Sequence, residues 1–226
     1  MMMENIAVLL TFAFGLGLLH ALDADHILAV SALSSDKSGF HNSMRYAFRW
    51  SVGHGAILLA ITVLIHWSVI SMPAEVSALA EQLVGVVLIV LGLLVLYQIR
   101  SKRLHFHFHK HKNKTHAHWH PHDDQDIEKK NHQHEHKAFL IGGLHGLAGS
   151  APLLAIIPLS EAKPISYSLL YLLVFSLGVF LAMISFGGLF GSLLKRLAEV
   201  SEKYVTTVKT LVAVLAISAG VHLVSA

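Results

Sequence analysis

The sequence predicts an all-α, polytopic membrane protein with about six transmembrane helices, arranged as two inverted three-helix repeats. Of its 226 residues, 54% are hydrophobic and only 14% are charged. The apolar residues fall into runs of about 20, the length that a helix needs to cross the hydrocarbon core of a bilayer. No stretch long enough for a separate soluble domain is left between these runs, so a membrane accounts for the composition.

The apolar runs define the predicted elements in chain order. The first run has no basic segment before it and no small-residue cleavage site after it, which favours a retained span over a signal peptide. The fourth contains Gly149, Ser150 and Pro152, two weak helix formers and a helix breaker, which predict an interruption of that helix. The predicted spans cover residues 5–31, 44–67, 76–99, 138–159, 165–190 and 204–225.

Basic residues concentrate on one side of these spans. Lys37 and Arg45 flank the first loop, Lys195 and Arg196 flank the fifth, and many more lie in the long loop at 101–137. Cytoplasmic loops carry the Lys and Arg excess, so both termini are expected outside and the long loop in the cytoplasm. The net charge of +3 reflects this asymmetry, and no nucleic-acid partner is needed to explain it. Trp50 and Trp67, near span ends, are predicted interfacial anchors.

The two halves of the chain resemble each other. Residues 17–22, GLLHAL, resemble residues 142–147, GGLHGL, and the same spacing separates SVG at 51–53 from SLG at 176–178. Each half has three spans, so the second copy enters the membrane from the opposite side, and binding sites in such folds tend to lie between the repeats. We therefore divide the chain into a first repeat, 1–100, a cytoplasmic disordered loop, 101–137, and a second repeat, 138–226.

Four ionisable residues follow the first apolar run, namely His20, Asp23, Asp25 and His26. Ionisable groups at membrane depth are costly, so each is a functional-site hypothesis by default. On one continuous helix, at about 100° per residue, His20, Asp23 and His26 share an arc while Asp25 points away. Two imidazoles and a carboxylate on one face suit a divalent transition metal. The absence of cysteine restricts any metal site to nitrogen and oxygen ligands.

Two further histidines, His54 and His145, lie in other apolar runs. A single buried histidine usually hydrogen-bonds a neighbouring helix, but together with the cluster these two indicate a metal pathway. Asp23 is the expected carboxylate ligand. Asp25 is expected either to pair with Arg45, Arg49 or His54 and so orient a ligand imidazole, or to carry a proton. The predicted intramembrane metal residues are His20, Asp23, Asp25, His26, His54 and His145.

The segment HALDADHI at residues 20–27 resembles the signature of the nickel/cobalt transporter family, and Gly53-His54 resembles that family's second histidine motif. Residues 145–150, HGLAGS, resemble a motif of shorter nickel transporters and of urease and hydrogenase accessory permeases. The resemblance implies permeation of Ni²⁺ or Co²⁺, with His20, Asp25, His26 and His54 as the family-matched positions. The middle loop looks more like that of related nickel/cobalt efflux proteins, so the direction of transport stays open.

Eleven of the chain's eighteen histidines lie in this loop, among lysines and acids. The loop lacks apolar periodicity, which predicts disorder in the absence of metal. Alternate spacing would place successive imidazoles on one side of an extended segment. We interpret the loop as a labile chelator of Ni²⁺, Co²⁺ or Zn²⁺, the alternative being a solvated linker. The histidines concerned are His105, His107, His109, His111, His116, His118, His120, His122, His132, His134 and His136.

These features together predict a permease without enzymatic activity or prosthetic group, with Ni²⁺ or Co²⁺ as its substrate and uptake as the favoured direction. Its expected partners are the metal ion and the lipid bilayer, with a cytoplasmic metallochaperone as a further candidate, and its expected location is the cell inner membrane. The alternatives are an exporter, a membrane protein for metal storage or delivery without flux, and an intramembrane metalloenzyme. The sequence lacks the His-Glu-x-x-His motif that would favour the metalloenzyme. It also lacks the phosphate-binding glycine-rich motif that would indicate direct use of ATP.

Overall fold

The computed structural model describes residues 2–35, 39–68, 74–102, 107–111, 114–118, 127–148 and 165–225. These residues form seven helices and one two-stranded hairpin, which confirms the predicted all-α, polytopic class for the apolar part of the chain. The elements in chain order are α1 (Met2–His20), α2 (Ala24–Ser34), α3 (Phe40–Ser68), α4 (Ala74–Lys102), β1 (His107–His111), β2 (Lys114–His118), α5 (Ile127–Ala148), α6 (Ile165–Val200) and α7 (Glu202–Ser225).

Four of the described helices are long and apolar enough to cross a membrane. The segments that meet this criterion are Phe40–Leu64, Ala78–Ser101, Ile165–Val200 and Glu202–Ser225. Helices α1 and α2 meet it together as a bent pair, which raises the number of spans to five. The predicted fourth span, 138–159, is described only as far as Ala148, and Pro152 with its predicted helix break lies outside the described residues. The described part of the chain therefore accounts for four or five of the six predicted spans.

The first predicted span is not one continuous helix. Helix α1 ends at His20, residues 21–23 form a turn, and α2 leaves at 58° to α1. Asp23 interrupts the helical ladder because its backbone, at φ −58° and ψ 141°, lies in the extended region. The prediction that His20, Asp23 and His26 share one arc of a single helix is therefore wrong. A turn, and not helical periodicity, sets the relative positions of these residues.

Helices of the first half pack against helices of the second half. Helix α1 packs on α6, α3 packs on both α5 and α6, and α4 packs on α7. The largest buried side chains between α1, α3 and α6 include Trp50, Leu172, Phe175 and Met183. The two halves thus interlock, and each of the three buried hydrophobic clusters contains residues of both.

The contacts between the halves are reciprocal. A Cβ atom on Gly17 would overlap the backbone carbonyl oxygen of Phe175, and a Cβ atom on Gly142 would overlap that of Trp50. One constant shift in residue number relates Gly17 to Gly142 and Trp50 to Phe175, so the two contacts are repeat counterparts of each other. The same shift relates two further contacts, Gly53 against Phe139 and Gly178 against Phe14. Reciprocity of this kind is what a two-fold axis between inverted repeats requires.

Backbone structure continues into the predicted loop at 101–137. Strands β1 and β2 pair antiparallel there, and α5 begins at Ile127, ahead of the predicted start of the second repeat at 138. The division of the chain into residues 1–100, 101–137 and 138–226 stays a prediction.

Candidate metal centre

Four histidines from four helices come together where α1, α2 and α3 of the first half meet α5 of the second. His20 is the last residue of α1, His26 lies in the first turn of α2, His54 lies within α3, and His145 lies in the last turn of α5. His26, His54 and His145 are at most 1% exposed. The turn at residues 21–23 separates the two helices, and the rings of His20 and His26 meet edge to face across it, with centroids 4.5 Å apart.

Three of these imidazoles form a compact group of donor atoms. One ring nitrogen from each of His20, His26 and His54 lies within 4.8 Å of the other two. The Nε2 atoms of His20 and His26 are 3.2 Å apart. Two nitrogens bound to one ion at about 2.1 Å in neighbouring positions are roughly 3.0 Å apart in an octahedral site and 3.4 Å apart in a tetrahedral one. The two Nε2 atoms hydrogen-bond to each other at a separation that also suits a pair of ligands on one divalent ion.

The two aspartates contact the outer nitrogens of these rings. Nδ1 of His20 lies 2.8 Å from Oδ2 of Asp23. Nδ1 of His26 lies 3.0 Å from Oδ1 of Asp25, but this contact does not have the geometry of a hydrogen bond. A carboxylate only accepts hydrogen bonds, so Nδ1 of His20 carries the proton and its Nε2 offers a lone pair. Carboxylates placed in this way orient a ligand imidazole and raise its basicity. Asp23, expected as a metal ligand, is thus outside the three-histidine group.

His145 presents a further lone pair beside the group. Its Nδ1 donates a 2.8 Å hydrogen bond to the carbonyl oxygen of Ile141, one turn earlier in α5. A carbonyl only accepts, so Nε2 of His145 is the unprotonated nitrogen in the neutral ring. Within the described residues this Nε2 and both ring nitrogens of His54 have no hydrogen-bond partner, although all three are buried. Buried polar atoms without partners are rare and usually mark an ion, a water or a functional role.

Aromatic rings enclose the histidines. The indole of Trp50 stacks on His54, with ring centroids 5.2 Å apart at 13°, and its centroid is 4.9 Å from that of His26. Phe175 lies 5.5 Å from His20 at the position that the repeat makes equivalent to Trp50. Trp50 is fully buried, so its prediction as an interfacial anchor is wrong, whereas Trp67 is 81% exposed. The sequence could have placed Trp50 at the site, because it precedes His54 by one helical turn and so lies on the same side of α3.

The broken helix also favours a cation electrostatically. The C-terminal end of α1 is the negative pole of the dipole of that helix, and it lies at His20. Asp23 and Asp25 offset the positive pole at the start of α2. Ends of discontinuous helices coordinate cations in transporters in this way. The turn therefore supplies both the geometry and the field that a dication needs in an apolar surrounding.

The remaining predicted metal residues lie along the loop. His107, His109 and His111 are in β1, and His116 and His118 are in β2. His132, His134 and His136 are in α5. His105, His120 and His122 lie outside the described residues.

Fold and site together define a polytopic helical membrane protein with a buried group of imidazoles that could hold a metal ion. A family model described as "NicO: High-affinity nickel-transport protein" matches residues 6–225. The chain therefore belongs to the NicO family of nickel-transport proteins, which confirms the resemblance found in its motifs. It is also 32% identical over 187 residues to "Urease accessory protein UreH" of Bacillus sp. (strain TB-90), covering 83% of this chain and 78% of that protein. No solved structure matches the chain significantly.

Proposed function

We propose that this chain carries Ni²⁺ across the cell inner membrane, in the uptake direction, through the site formed by His20, His26 and His54. The convergence of three imidazoles at a broken helix, two of them buried and that of His20 14% exposed, carries this proposal. Co²⁺ is a second substrate, because the same nitrogen ligands suit both ions and their affinities are neighbours in the Irving–Williams order. The process is transport without enzymatic conversion.

Each residue of the site has a distinct part in this proposal. His20, His26 and His54 replace water molecules of the hydrated ion, and Asp23 and Asp25 hold two of these rings and compensate the charge of the dication. His145 takes over one coordination position as the ion crosses from the first repeat to the second, since its Nε2 is free and its ring centroid is 5.5 Å from that of His26.

The membrane potential provides a driving force for uptake. A dication that moves toward a negative interior gains roughly 4.6 kcal/mol per 100 mV. With the histidine-rich loop in the cytoplasm and the termini outside, as the distribution of basic residues predicts, the arriving ion would meet a chelating segment, from which a cytoplasmic metallochaperone could collect it.

Two other functions have specific support. Efflux is favoured by the same loop, which could collect cytoplasmic ions for export. An accessory or storage role without flux is favoured by the name of the relative, a urease accessory protein. Both share the intramembrane site and differ in the net movement of metal.

The experiment is radiolabelled nickel accumulation at sub-micromolar external metal, in cells that express the wild type, His26→Ala or His222→Ala. His222 lies at the exposed end of α7 and serves as a matched histidine control. We expect the wild type and His222→Ala to raise cell nickel, and His26→Ala at equal membrane expression to remain at background.

Normal accumulation by His26→Ala would refute the site, and a wild type that lowers cell nickel would establish efflux. A storage protein would retain nickel in proportion to its own amount and lose it on deletion of residues 105–136.

A further inference from the structure

A polar cavity opens where the start of α3 meets the end of α6. Its volume is about 500 Å³, within the range of about 300–1,000 Å³ that ligand sites occupy. Residues 39–42, at the start of α3, form one wall. The other wall consists of four side chains of α6, namely Ser192, Lys195, Arg196 and Glu199.

The backbone holds the two walls together. The N–H group of Gly39 donates a 3.1 Å hydrogen bond to the carbonyl oxygen of Gly191 in α6. Gly39 has a φ of 127°, which residues with a side chain rarely adopt, and a Cβ atom on Gly191 would overlap the hydroxyl group of Ser43. The start of α3 therefore lies directly against α6, and the packing of the two helices pre-forms the cavity.

The charges in the cavity favour an anion. Two cations, Lys195 and Arg196, line it together with one carboxylate, that of Glu199. A guanidinium presents a planar fork of N–H donors that matches the oxygens of a phosphate group, and an ammonium group adds three further donors. The N-terminal end of α3, the positive pole of the dipole of that helix, forms part of the opposite wall. The two cations lie before the last turn of α6, so they are not placed to neutralise the end of that helix.

The cavity lies at the level of the lipid headgroups. The membrane-spanning segment of α3 begins at Phe40, and the 36 residues of α6 form a helix longer than the hydrocarbon core is thick. Leu189 and Leu193 are 69% and 48% exposed. At about 100° per residue they lie roughly 20° and 60° from Arg196 around α6. An apolar surface therefore adjoins the cationic side of the cavity.

We propose that this cavity binds the phosphate group of an anionic phospholipid. Lys195 and Arg196 hold the phosphate oxygens, and an acyl chain lies along Leu189 and Leu193. Basic pockets between membrane-spanning helices bind anionic lipid headgroups in this way. The distribution of basic residues predicts this end of α3 and α6 in the cytoplasm, which would place the lipid in the cytoplasmic leaflet. The site is separate from the three-histidine group and does not depend on transport through it.

The test compares lipids of different charge and variants of matched charge. Full-length protein in a non-ionic detergent is titrated with dioleoyl phosphatidylglycerol, and native mass spectrometry measures the affinity for the first bound lipid. Dioleoyl phosphatidylcholine has the same chains without net charge, and inorganic phosphate, added as a competitor, has no chains. The cavity variant is Lys195→Gln with Arg196→Gln. The control, Arg100→Gln with Lys203→Gln, removes the same charges from exposed positions outside the cavity lining.

We expect the wild type to bind phosphatidylglycerol at least about tenfold more tightly than phosphatidylcholine. The cavity variant should lose most of this preference, since each basic side chain near an anionic lipid surface contributes about fivefold. The control should stay within about twofold of the wild type. Glu199→Gln removes the negative charge from the cavity and should strengthen phosphatidylglycerol binding by up to about fivefold.

Four results would each overturn the proposal. They are a wild type without preference for the anionic lipid, an equal loss in the cavity variant and the control, weaker binding by Glu199→Gln, and displacement of phosphatidylglycerol by an equimolar amount of inorganic phosphate. The last result would assign the cavity to a soluble anion instead of a lipid.

Discussion

The two halves of this molecule share a packing scaffold and differ in chemistry. The glycine contacts are reciprocal, Gly17 with Phe175 and Gly142 with Trp50, and each brings two helix backbones together so closely that a methyl group does not fit. A requirement of this kind is steric, so it applies to both copies of the repeat. The scaffold is therefore symmetric because both halves must interlock.

The ionisable groups do not follow this symmetry. Only His20 has a histidine at its counterpart, His145. The other positions of the site differ between the halves, with His54 matched by Val179, Trp50 by Phe175, Asp25 by Ser150 and His26 by Ala151. A single ion bound between the repeats, as we propose, would need only one set of ligands. Duplicated carboxylates and imidazoles would only add buried polar groups, which are costly in the membrane. The comparison separates residues that make the fold from residues that we propose hold the ion.

The largest expected effect comes from breaking the scaffold. Gly142→Ala and Gly17→Ala each place a methyl group on a backbone carbonyl that cannot yield without separating two helices. We expect each substitution to cost about 3 kcal/mol, the upper end of the range for overpacking, and to remove most of the monodisperse protein in detergent. Gly15→Ala is the control, because a Cβ atom there meets nothing within 4 Å. Thermal unfolding followed by size-exclusion chromatography measures the difference, and a Gly17→Ala protein as stable as Gly15→Ala would contradict the symmetric scaffold.

Much of this organisation could be predicted from the sequence. Runs of apolar residues located the spans, since the thickness of a bilayer imposes their length. Short identities at equal spacing, such as GLLHAL with GGLHGL, indicated the repeat that the reciprocal glycine contacts later support. The histidines of the candidate site were also identifiable individually, because His26, His54 and His145 stand out as ionisable residues in apolar surroundings.

The geometry of the site could not be predicted in the same way. Helical periodicity assumes an unbroken helix, and nothing in Ala21-Leu22-Asp23 signals the turn as strongly as a proline or glycine would. Asp23 contacts His20 instead of capping α2, a choice between two local partners that its sequence position does not reveal. The hairpin register likewise depends on long-range pairing, which spacing alone leaves open.

A smaller effect should distinguish His20 from its counterpart His145. His20→Ala removes one of three grouped donors and should weaken Ni²⁺ binding in nanodiscs by at least about 100-fold. His145 lies outside the group, so His145→Ala should cost only about tenfold in affinity, with a larger loss in the rate of nickel movement into proteoliposomes. His222→Ala controls for loss of a histidine. Equal losses of affinity for His20→Ala and His145→Ala would mean that the ion is held by both halves alike.

The smallest expected effect concerns the aromatic pair. Trp50 touches three of the four histidines and Phe175 touches one, so Trp50→Leu should weaken Ni²⁺ binding more than Phe175→Leu, by about tenfold against about twofold. Trp50→Phe keeps a ring against His54 and should recover most of the affinity.

Trp50 also provides a direct readout of the site. With Trp67 and Trp119 replaced by Phe, the remaining fluorescence comes from an indole whose centroid is 4.9 Å from that of His26, and Ni²⁺ bound there should quench it. The quenching should saturate at the affinity found by competition titration and disappear in His54→Ala. If the fluorescence of Trp50 did not change with Ni²⁺ while the protein still bound the ion, the ion would lie away from the first-half histidines. The chemical asymmetry between the repeats would then lose its explanation.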